Sequence, residues 1–170
     1  MINNDKIYSP ADILTELDAR LLKTLQQQGI ETEKVNDGMD ISILKLNLST
    51  QQLTFASAKR TLWIFENGKI DISEYKGDKF PIGSSQFKEK KFTEKQISIQ
   101  KNDLIYAFTD GYADQFGSEG KMTIRRFREI LAQNKDKSFT EQESILAQKL
   151  QEWKQNEAQT DDILVVGIKI

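Results

Sequence analysis

The sequence contains no histidine and no cysteine in 170 residues. Without histidine there is no Ser-His-Asp triad, no imidazole general base and no imidazole metal ligand. Without cysteine there are no disulfides, thiolate nucleophiles or zinc-thiolate sites. Proline occurs only 2 times, and no Pro-rich linker or low-complexity tract divides the chain. No apolar run approaches the ~20 residues that span a bilayer. Residues 1–8 are short and polar, unlike a signal peptide. Neither charge sign dominates, with 24 Lys+Arg against 26 Asp+Glu interspersed along the chain. That balance argues against nucleic-acid binding by phosphate neutralisation. Catalysis is left to carboxylates, hydroxyls, lysine, arginine or an oxygen-bound hard cation such as magnesium or manganese. The length fits one domain with a single core, expected over residues 1–170. Cysteine absence agrees with a cytoplasmic setting.

What is present reads as a helix, then strands, then helices, then a strand. Ser9-Pro10-Ala11-Asp12 is a helix start, with a capping serine, proline at the first helical position and an early acid. Ile13, Leu14, Leu17, Leu21, Leu22 and Leu25 form one apolar face, so the helix is predicted to reach about Gln28 and stop at Gly29. Residues 30–37 read as a loop. Alternation and apolar runs predict strands over 39–48, 53–58, 62–65 and 70–75, with a turn at 49–51 and a hairpin signal at Asn67-Gly68. These are expected to form an antiparallel meander. Residues 76–86 read as a loop, and Ile97 and Ile99 alternate at the end of a polar stretch. Residues 104–109 are nearly continuously apolar, as in a central strand buried on both faces. An irregular loop is expected from Asp110 to Gly120, then a helix over 123–133. A capping box at Thr140 and Glu143 opens the next helix, and residues 163–168 form a final buried strand. This order favours an α+β fold with a mostly antiparallel sheet. Trp63 and Trp153 sit on apolar faces, while Arg125, Arg126 and Arg128 make a basic helix face expected to be solvated.

Two acidic segments stand at strand mouths. Asp110-Gly111 follows the apolar run, and Asp161-Asp162 precedes the last strand. If the two strands are antiparallel neighbours, the acids converge at one sheet edge. Close carboxylates repel unless a cation lies between them, and a hydrated hard divalent cation suits the position. Such a cation acidifies a bound water and clamps phosphoryl oxygens. The other reading is simpler: Asp-Gly is a common turn, and Asp-Asp before a strand is a common solvated cap. Spacing alone leaves both open. Lys59, Arg60 and Lys79 are candidates to meet a phosphate, against the ordinary reading as solvated loop residues. Asp37 and Asp40 suit turn chemistry or an acidic rim.

The motifs carry a resemblance. Leu104-Ile-Tyr-Ala-Phe-Thr-Asp-Gly-Tyr-Ala-Asp-Gln-Phe-Gly117 and Gln159-Thr-Asp-Asp-Ile-Leu-Val-Val-Gly-Ile168 resemble the SpoIIE-type branch of PPM-family phosphatases. Ser9-Pro-Ala-Asp-Ile-Leu14, Asn36-Asp-Gly-Met-Asp-Ile41, Phe55-Ala-Ser-Ala-Lys-Arg60 and Gly77-Asp-Lys-Phe-Pro-Ile-Gly83 look like further pieces of that family, so the similarity covers nearly the whole chain. The resemblance implies a metal-dependent protein serine/threonine phosphatase of bacterial signalling. It implies an α-β-β-α two-sheet sandwich flanked by helices, with a metal cluster at one edge. By that resemblance Asp110 and Asp161 bind Mn2+ or Mg2+, and Gly111 and Asp162 support them from beside the cluster. A water held by the metal then attacks phosphoserine or phosphothreonine directly, without a phosphoenzyme.

The sequence also departs from the family. The family's earlier Asp-x-x-Gly-His-Gly box, which supplies a bridging aspartate, does not occur in these residues. A position usually Ala-Gly-His-Pro reads Ala58-Lys59-Arg60-Thr61. The expectation is therefore the C-terminal portion of a phosphatase domain, lacking its N-terminal strands, first helix and first metal box. Metal is expected to bind weakly or not at all, with low activity for this chain alone. A homodimer is expected through the incomplete sheet. Expected partners are a phosphorylated regulatory protein, such as an anti-sigma-factor antagonist, and an upstream sensor or receiver module. No nucleic acid or membrane contact is expected. The rival reading is a non-catalytic regulatory or dimerisation module.

Overall fold

In the computed structural model, which describes residues 9–27, 38–87 and 89–170, helix α1 (Pro10–Gln27) starts as its sequence predicts. The Ser9 hydroxyl accepts from the Asp12 amide at 3.4 Å, and Pro10 occupies the first helical position. The expected stop at Gly29, the loop at 30–37 and Asp37 lie outside the described residues.

The chain divides into two compact units, Met1–Leu62 with Glu74–Gln100, and Trp63–Ser73 with Lys101–Ile170. In the first unit, β1 (Ile41–Asn47), β2 (Gln52–Ala58) and β5 (Glu94–Ser98) form an antiparallel sheet in the order β1-β2-β5. The apolar stripe of α1 lies on it. Leu14, Ala56, Ala58, Ile82 and Phe92 make that core, joined by Leu17, Leu21, Ile41 and Ile43. Asp18 fastens the segment that carries Gly83 and Lys90, accepting from the Gly83 amide at 2.7 Å and from the buried Lys90 ammonium at 2.5 Å.

The expected meander is corrected. β3 (Thr61–Phe65) does not pair with β2. It belongs to a second sheet, ordered β4-β3-β6-β9, with β4 (Ile72–Lys76), β6 (Leu104–Phe108) and β9 (Val165–Lys169). The switch between sheets is a sharp bend at Lys59, whose φ is 63°. Backbone bonds from Lys59 N to Asp78 O at 2.8 Å and from Arg60 N to Ala58 O at 2.9 Å hold the bend. Left-handed backbone favours glycine, yet a lysine occupies this bend.

The second unit completes itself with α2 (Gly111–Asp114), a minimal hairpin of β7 (Phe116–Gly117) and β8 (Gly120–Lys121), α3 (Ile124–Asn134) and α4 (Phe139–Lys154). The stretch from Asp110 to Gly120 is thus a helical turn and a hairpin rather than an irregular loop. Trp63, Phe65, Leu104, Tyr106, Tyr112, Met122, Phe127 and Leu131 form the core, with Leu146, Leu150, Trp153 and Val165 packed on it. Trp63 is fully buried as expected, and Trp153 is half-buried. Buried hydroxyls find partners: Tyr106 donates to Gln142 Oε1 at 2.5 Å and Tyr112 to Leu146 O at 2.9 Å.

Three further expectations change. The final strand begins two residues later than expected and is an edge strand, with Val166 and Leu164 exposed. Arg126 and Arg128 are not simply solvated, since their guanidinium groups lie over Trp153 at 4.3 Å and Trp63 at 5.3 Å. The capping box is Ser138 with Glu141, not Thr140 with Glu143. Glu141 N donates to Ser138 Oγ at 3.3 Å, and Ser138 N donates to the Glu141 carboxylate at 2.9 Å. The rival Thr140 lies inside the first turn. Ser138→Ala is expected to cost about 1 kcal/mol in urea unfolding, and Thr140→Ala much less. The Ser138 hydroxyl, then its amide, hold the Glu141 carboxyl below its ordinary pKa. Its contribution to stability is therefore present above the unfolded carboxyl's pKa and lost as pH falls through the lower folded value.

Overall, the described residues form a mixed α and β fold with antiparallel sheets and four helices, as the element order suggested.

Candidate functional site

β6 and β9 are antiparallel neighbours, with Phe108 opposite Val165. The pairing continues past the strand ends through Thr109. Its amide donates to Leu164 O at 3.0 Å, and its hydroxyl donates to Asp162 O at 2.9 Å and accepts from Leu164 N at 2.9 Å. One threonine thus ties the end of β6 to the approach to β9. Asp110 comes next, half-buried at the N-cap of α2. Its backbone is αR (φ −75°, ψ −16°) and its side chain makes no capping bond.

Gly111 sets how closely the two acidic segments meet. A Cβ placed there would stand 2.4 Å from Asp162 O and 2.9 Å from Asp162 C. No side chain fits, so the backbones of the Asp110-Gly111 turn and the Asp161-Asp162 segment are in direct contact. The condition that sequence spacing left open is met: β6 and β9 are antiparallel neighbours, and the Asp110-Gly111 and Asp161-Asp162 segments meet at the same end of that pair. Gly111→Ala is expected to cost about 1–3 kcal/mol by overpacking, or to part the two segments. Urea unfolding reads the first effect, and a Mn2+ titration reads the second.

Asp161 and Asp162 are exposed. Asp161 Oδ1 accepts from the Asp162 amide at 2.7 Å, which orients the carboxylate. Gln159 Nε2 donates to Asp161 O at 2.8 Å. Beside them, Lys121 pairs with Asp114 at 2.9 Å. Two residues that the sequence reading did not single out, Thr109 and Gln115, tie the two segments together. Gln115 is fully buried and bonds to Ala158 O at 2.8 Å and Thr160 N at 3.3 Å. The sequence offered no distinct signal for Gln115, which follows Asp114 in a mixed polar and apolar stretch after the Asp-Gly turn.

The other candidates have different partners. Arg60 pairs with Asp40 at 3.0 Å and Lys59 reaches the same carboxylate at 4.0 Å, so Asp40 anchors the Lys59 bend. Lys79 is exposed.

The donor set fits a hard cation in part. Two acidic segments meet at a backbone contact too close for a Cβ at Gly111, and oxygen donors completed by water suit Mg2+ or Mn2+. Among the described residues, no group of three or more acidic, His or Cys side chains could hold a metal ion.

The fold is that of PP2C-type phosphatase domains. It matches the SiaA-PP2C domain of Pseudomonas aeruginosa with a TM-score of 0.84, 24% identity, 99% of this chain and 64% of that one covered. It matches the RsbU and RsbW domains of Rv1364c from Mycobacterium tuberculosis with a TM-score of 0.69 and 13% identity, over 95% of this chain and 42% of that one. It also matches the Mn-presoaked phosphatase domain of SpoIIE from Bacillus subtilis, with a TM-score of 0.56, 15% identity, and 92% and 73% covered. The chain thus spans less than two thirds of the SiaA-PP2C chain. No curated protein sequence matches it. The family model described as Stage II sporulation protein E (SpoIIE) matches residues 3–170, and the chain belongs to that family.

Proposed function

We propose that the chain works as part of a metal-dependent protein serine/threonine phosphatase in bacterial signalling, with its centre at the β6–β9 edge. The observation that carries the reading is the contact of Gly111 with the Asp162 carbonyl, which brings two acidic segments to one edge. Family membership and the PP2C-type fold support the reaction class. Asp110 and Asp161 are the metal ligands in this reading, for Mn2+ or Mg2+. A cation held there supplies Lewis-acid polarisation of a phosphoryl oxygen and a water more acidic than bulk.

The chain's own residues do the positioning. The Asp162 amide holds one Asp161 oxygen, which leaves the other oxygen's lone pairs for a ligand. Thr109 holds the Asp162 carbonyl, and Gly111 removes the bulk that would separate the segments. Asp162 itself orients water or ligand from the rim. Two carboxylates make a weak site, so low activity is proposed for these 170 residues alone, as a portion of a longer phosphatase domain. The proposed substrate is a phosphorylated regulatory protein. The proposed setting is the cytoplasm, downstream of a sensor or receiver module. Among the described residues, no helix is long and apolar enough to cross a membrane.

Phosphate release from a phosphoserine peptide by the full-length protein tests the reading. The expected result is release that depends on Mn2+ or Mg2+ and stops with EDTA. Release unaffected by EDTA contradicts the metal reading. No release with either metal favours the non-catalytic module.

A further inference from the structure

Gln115 is the most constrained polar side chain near the acidic edge. It is fully buried and stands where the chain leaves α2, with extended backbone (φ −61°, ψ 127°). Its amide nitrogen donates to Phe116 O at 2.9 Å and to Ala158 O at 2.8 Å. Its amide oxygen accepts from Thr160 N at 3.3 Å. Its backbone carbonyl accepts from Met122 N at 2.9 Å, which locks the residue from the β8 side. Both amide hydrogens and the amide oxygen are therefore in use.

The grip has a direction. Residues 155–164 contain no strand or helix, and Gln155 departs from α4 with φ 48°. Nothing within that segment's own secondary structure decides where Asp161 goes. Gln115 bonds to residues 158 and 160, the latter directly before Asp161, while it sits five residues after Asp110 on the opposing segment. A side chain must donate and accept at this spot, because a carbonyl and an amide both face it. Glutamate lacks the donors and leucine lacks both functions.

We propose that Gln115 is a positioning residue that sets Asp161 against Asp110, and so sets the affinity of the edge for a divalent cation. The proposal rests on the metal reading given above. It adds a second constraint to that of Thr109: Thr109 fixes the segment on the β9 side of Asp161, and Gln115 fixes it on the α4 side. Held at both ends, Asp161 has little freedom to swing away from Asp110.

The experiment is a Mn2+ titration followed by electron paramagnetic resonance. The proteins are wild type, Gln115→Leu, Asp161→Asn and the double variant, each checked for folding by circular dichroism and urea unfolding. Gln115→Leu is expected to weaken Mn2+ binding about 10- to 100-fold, as residues that orient ligands do. In the Asp161→Asn background the same change is expected to have no further effect, because the ligand it positions is gone. Equal weakening in both backgrounds overturns the proposal, since it marks a general structural role. Unchanged affinity in Gln115→Leu overturns it too. If Asp161→Asn alone weakens binding and Gln115→Leu does not, only the Gln115 proposal fails. If Asp161→Asn leaves Mn2+ binding unchanged, the metal reading fails and takes this proposal with it. Should Gln115→Leu not fold, Gln115→Glu keeps the shape and removes both donors, and is read by the same criteria.

Discussion

Asp110→Asn is expected to weaken Mn2+ binding by about 100-fold or more and to abolish metal-dependent phosphate release. The reasoning starts from size. Asparagine has the shape of aspartate, so the turn into α2 survives the change. The Asp110 carbonyl, which accepts from Asp114 N at 2.9 Å, is backbone and remains. Only the negative charge and one oxygen donor are lost. In a site with two carboxylates, that halves the charge holding a divalent cation. Residues that merely orient a ligand are already worth about 10- to 100-fold in metal affinity, so removing a ligand is expected to cost at least that. A large loss of stability with unchanged Mn2+ affinity would assign Asp110 to the fold and remove it from the metal centre.

Phe127→Ala is expected to be the most destabilising single change in the second unit, at about 3–5 kcal/mol. Phe127 is 0% exposed. Its ring centroid lies 5.5 Å from that of Trp63, 5.1 Å from Phe108 and 4.6 Å from Tyr112. Truncation removes a large apolar side chain from among three rings and leaves a cavity that rigid aromatic neighbours cannot close. The cost is a large share of the ~5–15 kcal/mol that holds a typical domain folded. The effect should also reach the acidic edge, because Tyr112 belongs to α2, directly after Asp110-Gly111. Reduced stability together with weaker Mn2+ binding is the expected result in urea unfolding and metal titration. A loss under about 1 kcal/mol would contradict this packing.

The sequence was readable where local pattern decides structure. The α1 stripe and the apolar run of β6 follow from periodicity, and both stand within a residue or two of expectation. Sheet membership was not readable. β2 and β3 are separated by only two residues, which suggests a hairpin, yet the Lys59 bend sends β3 into another sheet. The capping register was ambiguous for a chemical reason. Ser138 with Glu141 and Thr140 with Glu143 both satisfy the box spacing, and packing of Phe139 beside Tyr106 and Gly167 accompanies the first. The same split runs through the site. Asp110 and Asp161 were visible as acids at strand mouths, but the meeting of their segments depended on a nonlocal pairing between β6 and β9. Gly111 was legible as a turn residue; its contact with Asp162 was not. Gln115 stayed hidden because its partners lie 43 and 45 residues away.

The central claim is that Asp110 and Asp161 act as one metal site. A double-mutant cycle on Mn2+ affinity, with Asp110→Asn, Asp161→Asn and both together, tests it most directly. The expected result is that each single change weakens binding strongly and the second adds little once the first is made. Singles without effect, or losses that simply add as for independent sites, would contradict a shared centre at this edge.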